Sequence, residues 1–94
     1  MILGYRDKQT ERFASGAFIR AFQGFDGQAE RRLAMLNAAT SLSDLRNMPS
    51  NRLEALRGDR SGQYSIRINQ QWRICFIWPE GAVGPSGVEI VDYH

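Results

Sequence analysis

The sequence predicts an α+β protein in which N-terminal helices pack on one face of a twisted antiparallel β-sheet. Two observations predict this class. Residues 28–39 (QAERRLAMLNAA) space their apolar side chains as a helix does. From residue 64 onward, apolar side chains recur at every second position, as in strands that bury one face. Because the two patterns occupy separate halves of the chain, they indicate two layers.

The first half is expected to contain a short strand at residues 2–5 and then a brief helix that Gly16 ends. Further along, Ser41 and Asp44 fit a capping box, in which each side chain accepts a hydrogen bond from the other residue's backbone, so a short helix should follow. The helix at 28–39 lies between them. Its apolar stripe is Ala29, Leu33 and Leu36, and the side chains turned away are Glu30, Arg31 and Asn37.

The second half is predicted to form three strands. Residues 63–69 and 72–78 pair around a tight hairpin connection at 69–71 (NQQ), and a last strand, Val88–Tyr93, follows the loop at 79–87. Alternation places six apolar side chains toward the helices, and burial of each should contribute roughly 1.5–3 kcal/mol before entropy is counted. These six are Trp72, Ile74, Phe76, Trp78, Ile66 and Ile68.

Length and composition fit one compact domain over residues 1–94, with 43% apolar and 23% charged residues. No apolar run approaches the roughly 20 residues needed to cross a bilayer, and the first residues do not form a secretory signal. Cys75 is the only cysteine, which excludes an internal disulfide and a cysteine-based metal site. A cytoplasmic protein that does not enter membranes is the simplest prediction.

Positive charge is concentrated in residues 48–78, where five arginines and two carboxylates give a local balance of +3. Residues 79–94 contain three carboxylates and no Lys or Arg. Eleven of the 12 basic residues are arginine. The planar fork of arginine suits phosphate better than the point charge of lysine, although a GC-rich genome explains the same bias.

A turn rich in arginine precedes the hairpin. Gly58 and Gly62 bracket it, and its two arginines, Arg57 and Arg60, could meet a phosphate where the backbone bends sharply. An ordinary turn with solvated charges is the simpler interpretation of these residues alone. The sheet face opposite the predicted core adds Ser65, Arg67 and Arg73.

The chain closes with DYH, residues 92–94, and His94 is its only histidine. An imidazole has an unperturbed pKa of about 6.5, so it can exchange a proton near neutral pH. Being the last residue, His94 also carries a carboxylate that should favour the protonated ring. A lone terminal histidine is more often simply solvated, so DYH alone does not establish a site.

Two long segments together resemble a known family. Residues 51–78 (NRLEALRGDRSGQYSIRINQQWRICFIW) and 88–94 (VEIVDYH) closely resemble the HigB toxins, the plasmid-maintenance "killer protein" branch of the RelE/ParE superfamily. Residues 5–13 (YRDKQTERF) and 33–46 (LAMLNAATSLSDLR) are similar to the N-terminal half of the same family. The resemblance therefore covers nearly the whole chain.

The resemblance implies a RelE-like, microbial-RNase-like fold and a toxin that cleaves messenger RNA in the ribosomal A site without a metal or other cofactor. It also implies a HigA-type helix-turn-helix antitoxin as partner, with operator DNA reached only through that antitoxin. The residues that match the catalytic set are Asp92, Tyr93, His94 and Arg73. Arg57, within LRGD, matches a basic position of that set, and Arg60 and Arg67 are further candidates for binding phosphate.

Three departures from the family pattern qualify this prediction. Many relatives have lysine where this chain has Arg57, which cannot exchange a proton. Some have histidine where Glu54 stands, and the loop at 79–87 is longer than usual. Two alternatives therefore stay open: a non-enzymatic ParE-like toxin that binds gyrase, and a degenerate relative that only binds antitoxin. Which of the catalytic groups is acid and which is base also stays open.

Overall fold

The computed structural model describes residues 1–92, and Tyr93 and His94 lie outside the described residues. Three α-helices precede a four-stranded sheet whose neighbouring strands are all antiparallel. The helices are α1 (Lys8–Ala14), α2 (Asp26–Ala38) and α3 (Leu42–Arg46). The strands, in their order across the sheet, are β1 (Glu54–Ala55), β2 (Tyr64–Arg67), β3 (Trp72–Ile77) and β4 (Ser86–Asp92). The predicted α+β architecture is confirmed, and β1 is an addition that the sequence pattern did not predict.

The three helices lie where the sequence indicates, although α2 begins at Asp26, two residues before the predicted start. Gly16 has φ +99°, a backbone conformation that glycine tolerates best, and α1 ends two residues before it. The stripe of α2 is buried as predicted, with Ala29 and Leu36 fully inaccessible to solvent. At α3, the Ser41 hydroxyl accepts a hydrogen bond from the Asp44 N–H at 3.3 Å, which confirms that cap.

The capping carboxylate of Asp44 also accepts hydrogen bonds from the Thr40 N–H at 2.8 Å and the Thr40 hydroxyl at 2.9 Å. These bonds favour the ionised form and lower the pKa of Asp44 below its usual range. Polar contacts between Asp44 and the two residues before α3 therefore fix the start of this helix.

The β2–β3 hairpin turns where the sequence predicts, because Asn69 supplies the turn with its own acceptor. Its Oδ1 accepts hydrogen bonds from the N–H groups of Gln71 and Trp72, both at 2.8 Å. The Ile68 N–H donates to the Trp72 carbonyl at 2.9 Å and closes the ladder. This connection fixes the register that sets Arg67 directly opposite Arg73.

The short strand predicted at residues 2–5 is wrong as a regular strand. The segment instead runs parallel to the start of β4 and forms one isolated bridge, Tyr5 with Val88. Three backbone hydrogen bonds tie it there, from Leu3 N–H to Pro85, from Val88 N–H to Gly4 and from Arg6 N–H to Val88. The segment stays this short because α1 begins at Lys8.

One apolar core fills the space between the helices and the sheet. Five of the six predicted sheet side chains are buried in it, whereas Trp72 is only half-buried at the hairpin end of β3. The Trp72 ring packs instead against Phe25 and Phe22, with centroids 4.7 and 5.9 Å away. The aromatic stretch before α2, folded as a 3₁₀ turn at Arg20–Phe25, thus closes this end of the core.

The helices also hold β4 through a buried polar contact. The Ile90 N–H donates to the hydroxyl of Thr10, which lies on α1 and is fully buried, at 3.0 Å. Near the start of the strand, the β3–β4 register shifts between Cys75 and Ile77, where Gly87 has φ +58°. Among residues 1–92, no helix combines the length and the apolar character needed to span a membrane.

Candidate active site

The sheet face away from the core carries two neighbouring rows of side chains. Directly paired residues point to the same face, so the register places Glu54, Ser65, Cys75 and Glu89 in one row across all four strands. The adjacent row contains Arg67, Arg73 and Val91. A row that has a carboxylate at each end therefore lies beside a row that contains two guanidinium groups.

Arg73 is nearly enclosed, with only 12% of its side chain exposed. Its Nη1 lies 2.9 Å from Oε1 of Glu54, and its Nη2 donates a hydrogen bond to the backbone carbonyl of Arg52 at 2.8 Å. Arg52 itself has φ +46°, in the left-handed region that residues other than glycine seldom adopt. The guanidinium is therefore fixed from two directions.

A second ion pair lies at the other end of the carboxylate row. Arg60 Nη1 is 2.8 Å from Oε1 of Glu89 and also donates to Oε1 of Gln63 at 3.0 Å. Arg6 approaches the same Glu89 oxygen at 3.8 Å. Only 13% of the Glu89 side chain is exposed. The arginine of the glycine-bracketed turn is thus folded back onto the sheet.

The middle of the carboxylate row is closed to solvent. Ser65 and Cys75 are both fully buried, although they face away from the core. Burial raises the pKa of the Cys75 thiol, and the nearby Arg60 guanidinium opposes that shift only in part. The thiol therefore stays protonated at neutral pH and is a poor nucleophile.

The two remaining candidate arginines differ in their surroundings. Arg67 is half-buried, and its Nε donates to the Asn69 carbonyl at 3.1 Å. Arg57 is exposed and lines an open cleft of about 460 Å³ together with Glu54, Ala55 and Leu56. The structure therefore places Arg57 in one cleft with Glu54, the partner of Arg73, and pairs Arg60 with Glu89.

Asp92 lies at the same end of the β3–β4 pair as Arg73 but on the opposite face. It is paired with Trp72, whereas Arg73 is paired with Val91. The Gln71 amide donates to its Oδ2 at 3.0 Å. Tyr93 and His94, the other two predicted catalytic residues, lie outside the described residues. Of the predicted catalytic residues, the structure therefore describes Arg73 and Asp92, on opposite faces of one end of the sheet.

Sequence reasoning missed the partners that orient the arginines. The contact between Arg73 and the Arg52 carbonyl joins residues 21 positions apart, and the contact between Arg60 and Glu89 joins residues 29 apart. Alternation along the last strand could have placed Glu89 on this face. No local signal reports the left-handed turn at Arg52, because it is not a glycine.

Solved structures of bacterial toxins share this fold. A YoeB/ParE toxin from Agrobacterium tumefaciens superposes with a TM-score of 0.59 at 14% identity, covering 99% of this chain and 98% of that one. The YoeB–YefM complex from Staphylococcus aureus gives a TM-score of 0.54 at 17% identity, covering 100% of this chain and 95% of the matched one. The architecture is thus that of the RelE-like toxins.

The sequence narrows this class to one family. Residues 4–94 match the model of the HigB-like toxins, described as the RelE-like toxin of the type II toxin-antitoxin system HigB. Toxin HigB-1 of Vibrio cholerae is 37% identical over 83 residues, which span 86% of this chain and 87% of the relative. The chain belongs to the HigB-like family and is a toxin of a type II toxin-antitoxin system, for which an antitoxin is the partner.

A second relative is named for an enzymatic activity. Endoribonuclease HigB of Proteus vulgaris is 36% identical over 63 residues, which span 67% of this chain and 65% of the relative. The predicted family and fold are confirmed by these comparisons. The predicted RNA-cleaving activity agrees with the name of the Proteus protein.

Proposed function

We propose that this toxin is an endoribonuclease that cleaves messenger RNA in the A site of the ribosome, in the cytoplasm, and so stops translation and growth. The observation that carries the proposal is the fixed guanidinium of Arg73, 12% exposed, near the start of β3. Asp92 ends the neighbouring strand β4 near Arg73, and Tyr93 and His94 follow it in the sequence. The name of the Proteus relative supports the reaction class.

The reaction needs three kinds of group. A base removes the proton from a 2′-hydroxyl, whose oxygen attacks the adjacent phosphorus. A cation stabilises the charged phosphorane, and an acid gives a proton to the departing 5′-oxygen. Proton transfer by a positioned side chain typically accelerates a reaction ~10²–10⁴-fold, and preorganised donors aimed at the developing charge often contribute more. This protein offers a candidate for each group.

The roles follow from the residue types. His94 is assigned to proton transfer and Asp92 to orienting it or acting as the alternative base. Tyr93 would stack on a base or donate its hydroxyl. Arg73 would stabilise the phosphorane, and the three outer arginines would bind neighbouring phosphates; these are Arg57, Arg60 and Arg67. Because Arg57 cannot lose its proton, its contribution would be purely electrostatic.

The partner of this toxin would be a HigA-type antitoxin with a helix-turn-helix domain. Such an antitoxin neutralises the toxin, and the complex reaches operator DNA only through the antitoxin. Because the antitoxin makes the contacts with DNA, the toxin's own basic residues are not needed there and can bind ribosomal RNA and messenger RNA.

The proposal is tested by mapping RNA 5′ ends after induction of the toxin in cells. The intact chain should produce new ends within translated codons, and a His94→Ala variant should produce none while still binding antitoxin. Intact transcripts together with arrested replication would indicate a gyrase-binding toxin instead. Normal growth with antitoxin binding retained by the unmodified chain would identify a degenerate relative.

A further inference from the structure

We propose that Glu54 and the backbone carbonyl of Arg52 form a clamp that positions Arg73 for RNA cleavage, with Glu54 acting as a positioning residue and not as a proton carrier. The inference rests on the proposed function of Arg73. It assigns a role to a carboxylate that stands where some relatives have histidine, and to a residue whose backbone is strained.

The geometry of the clamp fixes both the place and the plane of the guanidinium. Glu54 contacts Nη1 at 2.9 Å, and the Arg52 carbonyl accepts from Nη2 at 2.8 Å. Two contacts on different nitrogens remove the rotation that one contact would leave. Since a guanidinium acts as a planar fork, its orientation decides whether its N–H groups meet the phosphorane oxygens.

The Arg52 side of the clamp has a rigid foundation. Arg52 follows the 3₁₀ turn at Pro49–Asn51, in which Asn51 is fully buried. The Asn51 amide donates to the Leu45 carbonyl at 3.1 Å, and its oxygen accepts from Arg32 at 2.9 Å. Held by α2 and α3 in this way, the turn delivers Arg52 at φ +46° and ψ 54°. A strained conformation of this kind persists only where the surroundings enforce it, and such strain is concentrated at functional sites.

The Glu54 side is held by the sheet. Glu54 lies in β1 and pairs with Ser65 of β2, which places its side chain in the row beside Arg73. About half of the Glu54 side chain is exposed, at 52%, whereas the arginine that it contacts is nearly enclosed. The carboxylate thus contacts one terminal nitrogen of the guanidinium, and the backbone carbonyl of Arg52 accepts from the other.

The first test measures single-turnover cleavage of a short messenger RNA bound to ribosomes, with the full chain. Glu54→Ala should slow cleavage about 10²-fold, the scale expected for a catalytic group displaced by about 1 Å. Its affinity for the programmed ribosomes should stay within about twofold, because Glu54 is proposed to contact Arg73 and not the RNA. Glu54→Gln should lie between, since its amide oxygen still accepts from Arg73 but without the charge.

The pH dependence separates positioning from proton transfer. Loss of a positioning residue lowers the rate at every pH. Glu54→Gln should therefore leave the shape of the pH–rate profile unchanged. Loss of one limb of that profile would make Glu54 a proton carrier and overturn the proposal. Glu30→Gln on α2, an exposed position outside the site, makes the same change in charge and serves as the control.

The second test addresses the backbone of Arg52. Arg52→Gly and Arg52→Val both remove the side chain, but only glycine accepts a positive φ without strain. The valine variant should therefore cleave at least several-fold more slowly than the glycine variant. Equal rates would show that the carbonyl does not orient Arg73.

The outcomes distinguish the clamp from the activity on which it rests. If the unmodified chain does not cleave RNA on ribosomes, the proposed function fails. If it cleaves and Glu54→Ala cleaves equally fast, only the clamp fails. Antitoxin binding and thermal unfolding report whether each variant is folded, and the nearly isosteric Glu54→Gln decides the matter if the alanine variant is unstable.

Discussion

On the helix-facing side of the sheet, Ile66, Ile74 and Val88 are fully buried among apolar side chains, whereas on the opposite side Ser65 and Cys75 are equally inaccessible within a row that ends in two glutamates. The first face is held by nonspecific apolar contact, which tolerates exchange of one aliphatic residue for another of similar volume. The second is held by ion pairs with defined partners. A change on the first face should therefore affect stability, and a change on the second should affect chemistry.

The largest loss of stability is expected on the helix-facing side. Phe76 is 1% exposed and its ring stacks with that of Tyr64, the centroids being 6.1 Å apart. Phe76→Ala should lower the free energy of unfolding by about 3–5 kcal/mol, because it removes buried area and leaves a cavity. Urea denaturation measures the change. Ile77→Ala on the same strand, where the side chain is 38% exposed, is the control and should cost much less.

The corresponding change on the charged side should lower RNA cleavage strongly and stability only slightly. Arg73→Lys keeps a positive charge but cannot reproduce both contacts of the guanidinium fork. We expect RNA cleavage to fall about 10²–10³-fold, the range typical for loss of one preorganised donor. The free energy of unfolding should fall clearly less than in Phe76→Ala, because lysine keeps the positive charge and the partner Glu54 is half-exposed. Arg31→Lys, on the exposed side of α2, is the control. If Arg73→Lys lowered the free energy of unfolding as much as Phe76→Ala does, the division between the two faces would be contradicted.

A third prediction concerns a polar contact within the helix-facing layer. Thr10→Val removes the hydroxyl that accepts the Ile90 N–H and should destabilise the protein by about 1–3 kcal/mol, the usual effect of leaving a buried donor without an acceptor. Thr10→Ser keeps the accepting hydroxyl and loses only a methyl group, so it is the control and should have a smaller effect. Equal effects in thermal unfolding would mean that the Thr10 contact is not specific.

The smallest effect is expected outside the sheet, at the start of α3. Because hydrogen bonds from Thr40 lower the pKa of Asp44, its ionised form stabilises the fold. This stabilisation is complete above the unfolded pKa of about 4 and is lost as the pH falls through the lower folded pKa. Asp44→Asn should therefore reduce the unfolding temperature slightly at pH 7, and the difference should shrink at pH 3. A difference that persisted in acid would assign the effect to packing.

The sequence predicts the helix-facing layer well, because alternation and helical spacing depend only on neighbouring residues. The stripe of α2, the Asn69 turn and the Ser41 cap are examples. It predicts the charged face only in part. Arg67 and Arg73 follow from alternation, whereas the fold of Arg60 onto Glu89 depends on the tertiary path of a loop. The short strand β1 has only two residues and therefore leaves almost no periodic signal.

Among the elements of residues 1–92, strand β4 is synthesised last, yet it lies between β3 on one side and residues 3–6 on the other. As the chain leaves the ribosome, the N-terminal segment must wait for β4 before its backbone groups find partners. Such distant pairings are intrinsically slow to form. A nascent chain stopped before Ser86 would leave β3 with an open edge and Thr10 without the donor that it holds in the finished protein. Incomplete synthesis should therefore release an unfolded fragment that the cell's proteases can remove.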